Sequence, residues 1–362
     1  MPIVRVPLTA KAYDVQIECG LVDHTGEAAA ALVKPNRCAI VTDSNVAPLY
    51  AGRVLASLKS AGFEPAVVTV PAGETSKSLT ETARVCDALI DAGLDRSSVL
   101  FALGGGVVGD LAGFVAAIYF RGIPCIQIPT TVVAQVDSSV GGKTGVNALG
   151  GKNLLGAFHQ PRAVLADPDT LRSLPAREFN EGFAEIIKHA AIREPDLLQY
   201  RDDPVELVRR NVAIKAAIVA EDEFETRGVR ALLNFGHTIG HGIENAAGYG
   251  EILHGEAISL GLIAASRLSV EKAGLAQVHA DSILRDLIAC ELPTRLPDHI
   301  STDAIVAALR RDKKFAQGAI RFVLLRAPGD AFVSEEITES DIRTAIDGLR
   351  TGPVTTGSAR GL

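Results

Sequence analysis

The chain has 362 residues, of which 47% are hydrophobic and 22% charged, an ordinary composition for a soluble globular protein of about two domains. Its formal net charge of −7 gives no electrostatic support for nucleic-acid binding. No run reaches the ~18 apolar residues of a membrane span, and the N-terminus lacks the apolar stretch of a secretory signal. Five cysteines, odd in number and widely spaced, argue for a reducing compartment, so we expect a cytoplasmic enzyme without membrane or nucleic-acid partners.

The first half of the chain alternates short apolar runs with helical patterns. Apolar runs predict strands over residues 37–42, 66–70, 98–103 and 123–128. Amphipathic patterns predict helices after Pro48, over 79–92 and over 111–119. This alternation predicts an α/β domain with a parallel sheet covered by helices on both faces. Ligands of such sheets gather at the carboxyl ends of the strands.

A glycine-rich turn follows the third predicted strand. Residues 104–110 fit the G-x-G-x-x-G spacing between a strand and a helix, where glycines admit a dinucleotide pyrophosphate to the helix N-terminus. No acidic residue lies about 20 positions further on, where the usual fingerprint has one. We therefore expect Asp43, at the end of the first predicted strand, to take the ribose role. A tight turn without a ligand is the alternative interpretation.

A second unusual stretch runs from Asp137 to Gly156. It is rich in glycine, hydroxyl and amide groups and contains Lys143 and Lys152. Backbone amides and two ammonium groups suit a cradle for phosphate or another oxyanion, although the Walker A order is not matched. The alternative is a surface loop, which at 20 residues would be long for a structureless connection.

The second half is mainly helical in pattern. Ser173 is expected to cap a helix with Pro175 in its first turn. Glu185 and Lys188, three apart on this helix, are either an exposed ion pair or, for Glu185, a metal ligand. Residues 204–225 predict a long helix with Lys215 on its apolar stripe, where it reaches solvent or points into a site. Further helices are predicted near 254–268, 281–288, 303–311 and 340–349, with a strand over 320–325.

Three of the eight histidines fall within the stretch from Asn234 to Glu256. His237 and His241, four apart, share one face of a helix, and His254 follows a glycine-rich turn at the start of the next helix. Together with the flanking glycines they favour a metal site, because histidine and carboxylates are the usual ligands of catalytic zinc. The spacing leaves open which two histidines bind, and where the third ligand lies.

Taken together, the motifs resemble the 3-dehydroquinate synthase family, a branch of the sugar phosphate cyclases, over nearly the whole chain. The resemblance is carried by the glycine-rich turn, by residues 136–145, 151–161 and 181–188, by the histidine stretch and by residues 312–314. It implies a Rossmann-like, NAD-binding α/β domain over residues 1–170. A mainly α-helical metal- and substrate-binding domain over 171–350 and a flexible tail over 351–362 would follow, with the active site in the cleft.

The resemblance also implies roles for single residues. It places NAD on Asp43, Asn45, Glu74, Lys77, Gly104, Gly105, Gly106, Val107, Gly109, Asp110, Thr130, Thr131, Lys143 and Lys152. It places zinc, or cobalt instead, on Glu185, His237 and His254. It implies catalytic roles for Asp137, Lys152, Lys188, Asn234 and His241. Substrate contacts are implied for Lys143, Asn153, Lys215, Arg230, Lys313, Lys314 and Arg121, the last reaching the phosphate site of a second subunit in a homodimer.

The implied reaction converts the sugar phosphate 3-deoxy-D-arabino-heptulosonate 7-phosphate into 3-dehydroquinate and phosphate. It proceeds by transient NAD-dependent oxidation, phosphate elimination, re-reduction and intramolecular aldol closure, without net redox change. Another sugar phosphate cyclase, such as an aminodehydroquinate or deoxy-inosose synthase, is the nearest alternative. A metal-dependent alcohol or glycerol dehydrogenase would not need the cationic cradle. A non-catalytic NAD-binding regulator would be expected to have lost the metal ligands or the cradle.

Overall fold

The structure is a computed structural model that describes residues 2–8, 11–149, 151–248, 250–311 and 320–351. The chain divides into two compact units. The first comprises Met1–Leu174 and Asp202–Phe224, and the second comprises Pro175–Arg201 and Glu225–Leu362. The predicted contacts of Lys313 and Lys314, and the predicted tail over 351–362 apart from Thr351, lie outside the described residues.

Strands and helices are numbered here in chain order. The strands are β1 (Ile3–Val6), β2 (Tyr13–Ile17), β3 (Arg37–Asp43), β4 (Glu64–Val70), β5 (Val99–Gly104), β6 (Cys125–Pro129), β7 (Lys143–Ala148), β8 (Gly151–Phe158), β9 (Ala163–Ala166), β10 (Ile320–Ala327) and β11 (Asp330–Ile337). The α-helices are α1 (Thr25–Ala30), α2 (Gly52–Ser60), α3 (Leu79–Asp91), α4 (Gly106–Ile118), α5 (Ala176–Glu181), α6 (Phe183–Ile192), α7 (Pro204–Glu221), α8 (His237–Ala247), α9 (His254–Ala273), α10 (Gln277–Ala289), α11 (Thr302–Arg311) and α12 (Glu339–Gly348).

The first unit is built on a seven-stranded sheet of order β1-β2-β9-β6-β5-β3-β4. Every neighbouring pair is parallel except β1 with β2. Successive residues of β3 enter different apolar clusters: Ile40 packs with Val54 and Leu58 of α2, whereas Val41 packs with side chains of α3 and α4. Because alternate side chains of a strand point to opposite faces, helices cover both faces of this sheet. The prediction of a parallel α/β domain is confirmed.

The stretch from Asp137 to Gly156 is largely a β-hairpin, so the alternative of a structureless loop is wrong. β7 pairs with β8 in antiparallel register, and one π-helical turn, Ala134–Ser138, precedes it. Glycines on β7 and β8 allow the two strands to approach closely. A Cβ atom at Gly145 would lie 2.6 Å from the carbonyl oxygen of Leu155, and one at Gly156 would lie 2.3 Å from that of Thr144.

The second unit is mainly helical, as predicted, and also contains the antiparallel hairpin β10–β11. The predicted cap at Ser173 is wrong. Its hydroxyl donates to the carbonyl of Thr170 in a 3₁₀ turn, and α5 begins only at Ala176, after Pro175 at the N-cap. The predicted helix over 204–225 ends at Glu221 and belongs to the first unit. Within the described parts of the chain, we find no helix whose length and apolar character would let it cross a bilayer.

Candidate active site

Three potential metal ligands converge in the second unit. Glu185 lies on α6, whereas His237 and His254 begin α8 and α9. The Nε2 atoms of both histidines approach the same carboxylate oxygen, Oε1 of Glu185, at 3.3 Å from His237 and 2.9 Å from His254. One ligand atom from each residue can be chosen so that all three lie within 4.8 Å of one another. Two imidazole nitrogens and a carboxylate oxygen are the donor set of many catalytic zinc sites.

Glycines bring the two histidine-bearing helices together. A Cβ atom at Gly261 of α9 would lie 2.0 Å from the carbonyl oxygen of Gly236, just before α8. Gly236 itself has φ +78°, in the left-handed region that glycine adopts without strain. Because the backbones touch at this point, the ring centroids of His237 and His254 come within 5.6 Å of each other.

Each of the two histidines also has a partner on its other ring nitrogen. Nδ1 of His237 lies 3.2 Å from the carbonyl oxygen of Phe235, so an N–H donated there leaves Nε2 with its lone pair towards Glu185. Nδ1 of His254 lies 3.7 Å from Oε2 of Glu244, which is buried on α8. Such outer partners orient the ligands of metal sites. Sequence analysis did not select Glu244, although it lies seven residues after His237 on the same helix.

The electrostatics of the cluster favour an ionised carboxylate. Burial opposes charge on Glu185, but the ammonium group of Lys188 holds its pKa well below the ordinary value. Nζ of Lys188 lies 2.5 Å from Oε2 of Glu185, and both side chains are only 2% exposed, so the alternative of an exposed ion pair is wrong. Burial also opposes protonation of His254, yet its contacts with the carboxylates of Glu185 and Glu244 raise its pKa to about 10. Burial lowers the pKa of His237.

A second combination of possible ligands overlaps the first. His241, Glu244 and His254 also offer ligand atoms within 4.8 Å of one another. The ring of His241 lies 5.2 Å from that of His237 and 5.9 Å from that of His254. The fold thus gathers all three histidines of the sequence motif, and His254 is common to both possible sets.

The N-terminus of α9 is held by polar contacts from α5. Oε2 of Glu181 accepts a hydrogen bond from the backbone amide of Gly255 at 2.9 Å. Arg177 donates two hydrogen bonds to the carboxylate of Glu256, both at 2.7 Å, and Glu256 in turn accepts from the amide of Leu253. Since α5 leads directly into α6, these contacts set the position of His254 relative to Glu185. No sequence pattern indicated them.

Two further predicted site residues lie just before α8. Arg230 begins the 3₁₀ turn Arg230–Asn234 and is 3% exposed. Asn234 ends that turn, and its side-chain amide lies 3.4 Å from Oε1 of Glu225. A guanidinium group buried this deeply must have a polar partner. Because the turn leads directly into His237, Arg230 and Asn234 lie on the segment that carries this possible metal ligand.

In the first unit, residues 104–110 join β5 to α4 as predicted, although the helix begins at Gly106 and not at Leu111. Gly105 occupies the N-cap position and offers no side chain to the first amides of the helix. A Cβ atom there would lie 2.9 Å from Cγ2 of Thr131, and one at Gly109 would lie 2.8 Å from Oε1 of Gln127. The turn and the start of α4 therefore pack directly on β6 and the residues after it. An uncapped helix N-terminus at the carboxyl edge of a parallel sheet suits an anionic ligand.

Several of the predicted charged site residues of this unit have polar partners within it. Nζ of Lys77 donates to Oδ2 of Asp110 at 2.5 Å, although burial raises the pKa of that carboxyl group. Nζ of Lys152 lies 3.5 Å from Oε1 of Glu74. Oδ1 of Asp43 accepts from the backbone amide of Asn45 at 2.8 Å, which shapes the turn after β3.

Lys215 of α7 reaches the turn that precedes the hairpin. Its ammonium group contacts the carboxylate of Asp137 and donates to the backbone carbonyl of the same residue at 2.6 Å. At 6% exposed, Lys215 does not extend to solvent, so that alternative is wrong. Lys143, at the start of β7, is exposed. Arg121, in the turn after α4, is also exposed and has φ +67°.

Comparison with solved structures shows which enzymes share this fold. Over 95% of this chain and 98% of the other, it matches 2-epi-5-epi-valiolone synthase from Streptomyces hygroscopicus subsp. jinggangensis 5008, solved with NAD⁺ and Zn²⁺, with TM-score 0.85 and 31% identity. It matches 2-deoxy-scyllo-inosose synthase with TM-score 0.87 and 24% identity, over 97% of this chain and all of the other. A probable glycerol dehydrogenase from Sinorhizobium meliloti 1021 matches at TM-score 0.62 and 19% identity, over 94% and 98% of the two chains. The architecture is that of the sugar phosphate cyclases and, more distantly, of glycerol dehydrogenases.

Sequence comparison identifies the family within this class. The 3-dehydroquinate synthase N-terminal model matches residues 67–181, and the C-terminal model matches residues 182–315. The 3-dehydroquinate synthase of Desulforamulus reducens is 45% identical over 94% of this chain and 98% of its own length. That of Caulobacter vibrioides is 46% identical over 94% and 96%. The chain belongs to the 3-dehydroquinate synthase family, and the resemblance predicted from its motifs is confirmed.

Proposed function

We propose that this protein is a 3-dehydroquinate synthase, which converts 3-deoxy-D-arabino-heptulosonate 7-phosphate into 3-dehydroquinate and phosphate. The observation that carries the proposal is full-length membership of one family: both family models match, and curated relatives of that name are 39–46% identical over at least 93% of the chain. The possible ligand cluster and the cationic hairpin provide the side-chain chemistry that this reaction requires.

We propose that Glu185, His237 and His254 hold a divalent metal ion, zinc or cobalt. The donor set fits such an ion, because an ionised carboxylate and two imidazole Nε2 atoms face one another and each histidine has a partner on Nδ1. Bound metal supplies Lewis acidity to substrate oxygens, and bound NAD supplies reversible hydride transfer. Lys188, in contact with Glu185, keeps this carboxylate charged.

Residues 1–170 are the proposed NAD-binding domain and residues 171–350 the proposed metal- and substrate-binding domain, although α7 belongs to the first compact unit. The carboxyl ends of the parallel strands β3, β5 and β6 lead into Asp43, the glycine-rich turn and the pair Thr130 and Thr131. In parallel α/β sheets nucleotides bind at this edge. Together with Asn45, Glu74, Lys77 and Asp110 these groups form the proposed NAD site.

The remaining predicted residues provide cationic groups and a proton relay. Lys143, Lys152 and Asn153 on the hairpin and Lys215 on α7 are suited to bind a phosphate or carboxylate in the first unit. Arg230 and Asn234 are suited to bind the substrate in the second. His241, one helical turn after His237 and outside the proposed ligand set, is the proposed proton-transfer group. Asp137, held by Lys215, and Lys188 complete the proposed catalytic set.

We further propose that the enzyme works as a cytoplasmic homodimer. Arg121 is exposed in the turn after α4, where it is accessible to a second copy of the chain. Five widely spaced cysteines suit a reducing compartment. Sedimentation equilibrium of the purified protein tests the dimer, and an Arg121→Ala variant tests whether this side chain contributes to the partner's phosphate site.

The deciding experiment supplies the purified protein with NAD⁺, zinc and the heptulosonate phosphate. We expect phosphate release without net NADH, because the hydride removed from the substrate is returned. Net NADH from a simple alcohol would instead identify a metal-dependent alcohol or glycerol dehydrogenase. Turnover of an amino analogue in preference to the heptulosonate phosphate would identify an aminodehydroquinate synthase. A Glu185→Gln variant is the control for metal dependence.

A further inference from the structure

Asn147 lies where the β7–β8 hairpin is irregular. The register shifts between Val146, which pairs with Leu155, and Ala148, which pairs with Gly151. Such a bulge turns a residue out of the ladder and re-aims its side chain. The backbone amide of Asn147 donates to the carbonyl oxygen of Lys77 at 2.9 Å, a residue outside the hairpin.

The side chain of Asn147 uses both ends of its amide. Nδ2 donates to Oε1 of Glu74 at 2.8 Å, and Oδ1 accepts from the backbone amide of Asn153 at 3.0 Å. Asn153 has φ +56°, a left-handed conformation that is sparsely populated outside glycine and that local contacts help to hold. The bond from its amide is one such restraint. Glu74 also lies 3.5 Å from Nζ of Lys152, the residue before Asn153.

Through these three bonds, Asn147 connects two parts of the proposed site within the first unit. Glu74 and Lys77 belong to the proposed NAD contacts, and Asn153 with its neighbour Lys152 belongs to the proposed oxyanion cradle. We propose that Asn147 is a positioning residue that holds the NAD-binding loop and the oxyanion cradle in their relative positions. Its loss would therefore weaken the binding of both NAD⁺ and the heptulosonate phosphate. This inference rests on the proposed function for the identity of the substrate but not for the contacts themselves.

The test compares the zinc-loaded wild-type enzyme with Asn147→Ala. We expect the NAD⁺ affinity, measured by isothermal titration calorimetry without substrate, to fall about tenfold, as the loss of one or two hydrogen bonds predicts. The KM for the heptulosonate phosphate should also rise about tenfold, while kcat changes less, because Asn147 is not assigned a place at the reacting atoms. Unchanged NAD⁺ affinity and unchanged KM would overturn the proposal.

Asn147→Asp separates the contributions of the two side-chain hydrogen bonds of Asn147. A carboxylate retains the acceptor for the amide of Asn153 but replaces the donor to Glu74 with a like charge. We therefore expect it to lose NAD⁺ affinity at least as strongly as the alanine variant, and equal affinity to wild type would contradict a role for the Glu74 contact. This isosteric variant also carries the test if the alanine variant folds poorly.

Leu154→Ala is the matched control, because Leu154 is 54% exposed on the same hairpin. It should keep wild-type NAD⁺ affinity and KM. An equal loss in this control would assign the effect to the hairpin in general and overturn the specific role of Asn147. A wild-type enzyme that binds NAD⁺ but does not turn over the heptulosonate phosphate would refute only the proposed function. The calorimetric comparison of NAD⁺ affinities would still test the role of Asn147.

Discussion

Oε2 of Glu244 lies 3.7 Å from Nδ1 of His254, on the side of the imidazole ring opposite to Glu185. The ring of His254 thus stands between two carboxylates, one of which is in the proposed ligand set. In many metal sites a carboxylate contacts the ring nitrogen that does not bind the metal. Such a contact fixes the orientation of the imidazole and increases its basicity.

The first prediction concerns this outer carboxylate. Glu244→Gln keeps the volume of the side chain but removes its charge, so metal affinity should fall roughly 10–100-fold. Competition with a coloured chelator measures the affinity directly. Glu251→Gln is a suitable control, because the side chain of Glu251, in the same unit, contacts His299, and only its backbone carbonyl accepts from Arg177. Wild-type affinity in Glu244→Gln would mean that the outer contact does not support the ligand.

The second prediction separates the two overlapping ligand sets. If Glu185, His237 and His254 bind the metal, His241→Ala should keep one equivalent of zinc and lose activity by about 10²–10⁴-fold, the usual value of a proton-transfer group. His237→Ala should lose the zinc. Metal content after dialysis distinguishes the variants. Zinc retained by His237→Ala and lost by His241→Ala would assign the site to His241, Glu244 and His254 instead.

The third prediction concerns protons released on metal binding. In the metal-free protein the pKa of His254 is raised to about 10 and that of His237 is lowered, so at neutral pH His254 is protonated and His237 is neutral. A metal ion needs both nitrogens unprotonated, and binding should therefore release about one proton. Metal affinity should rise about tenfold per pH unit from neutral pH towards the pKa of His254.

Calorimetry in two buffers of different ionisation enthalpy measures this proton release. A release near zero at neutral pH would show that His254 is neutral before the metal binds. Glu185 should not contribute, because its pKa is held well below the ordinary value and it is already ionised.

The fourth prediction concerns the contact between α8 and α9. In Gly261→Ala the new methyl group would lie 2.0 Å from the carbonyl oxygen of Gly236, so the helices must separate. We expect a loss of about 2–3 kcal/mol in the free energy of unfolding and weaker metal binding, since the histidines move with their helices. Gly52→Ala in α2 is the control, because a Cβ atom there meets no atom within 4 Å. The control should be neutral or stabilising by up to about 1 kcal/mol. Equal free energies of unfolding for the two variants, measured by denaturant titration, would refute the steric argument.

The sequence by itself determined the alternation of strands and helices, the strand–turn–helix context of the glycine-rich turn and the family. These features follow from local periodicity and from motifs that are contiguous in the chain. Periodicity was weaker at the ends of elements. The helix predicted from Ser173 begins at Ala176, because Pro175 occupies its N-cap and the Ser173 hydroxyl is used by the preceding turn.

Local sequence patterns did not decide which distant groups meet; the family resemblance implied the set Glu185, His237 and His254, and the tertiary structure shows the contacts that bring its members together. Glu185 lies some fifty residues before His237, and no spacing rule connects them, yet glycine-mediated contact between α8 and α9 and the polar contacts from α5 bring both histidines to one oxygen of its carboxylate. The outer partner Glu244 and the bridging Asn147 were likewise visible only in three dimensions. Their roles depend on distances between side chains, and a linear pattern records the residue types but not those distances.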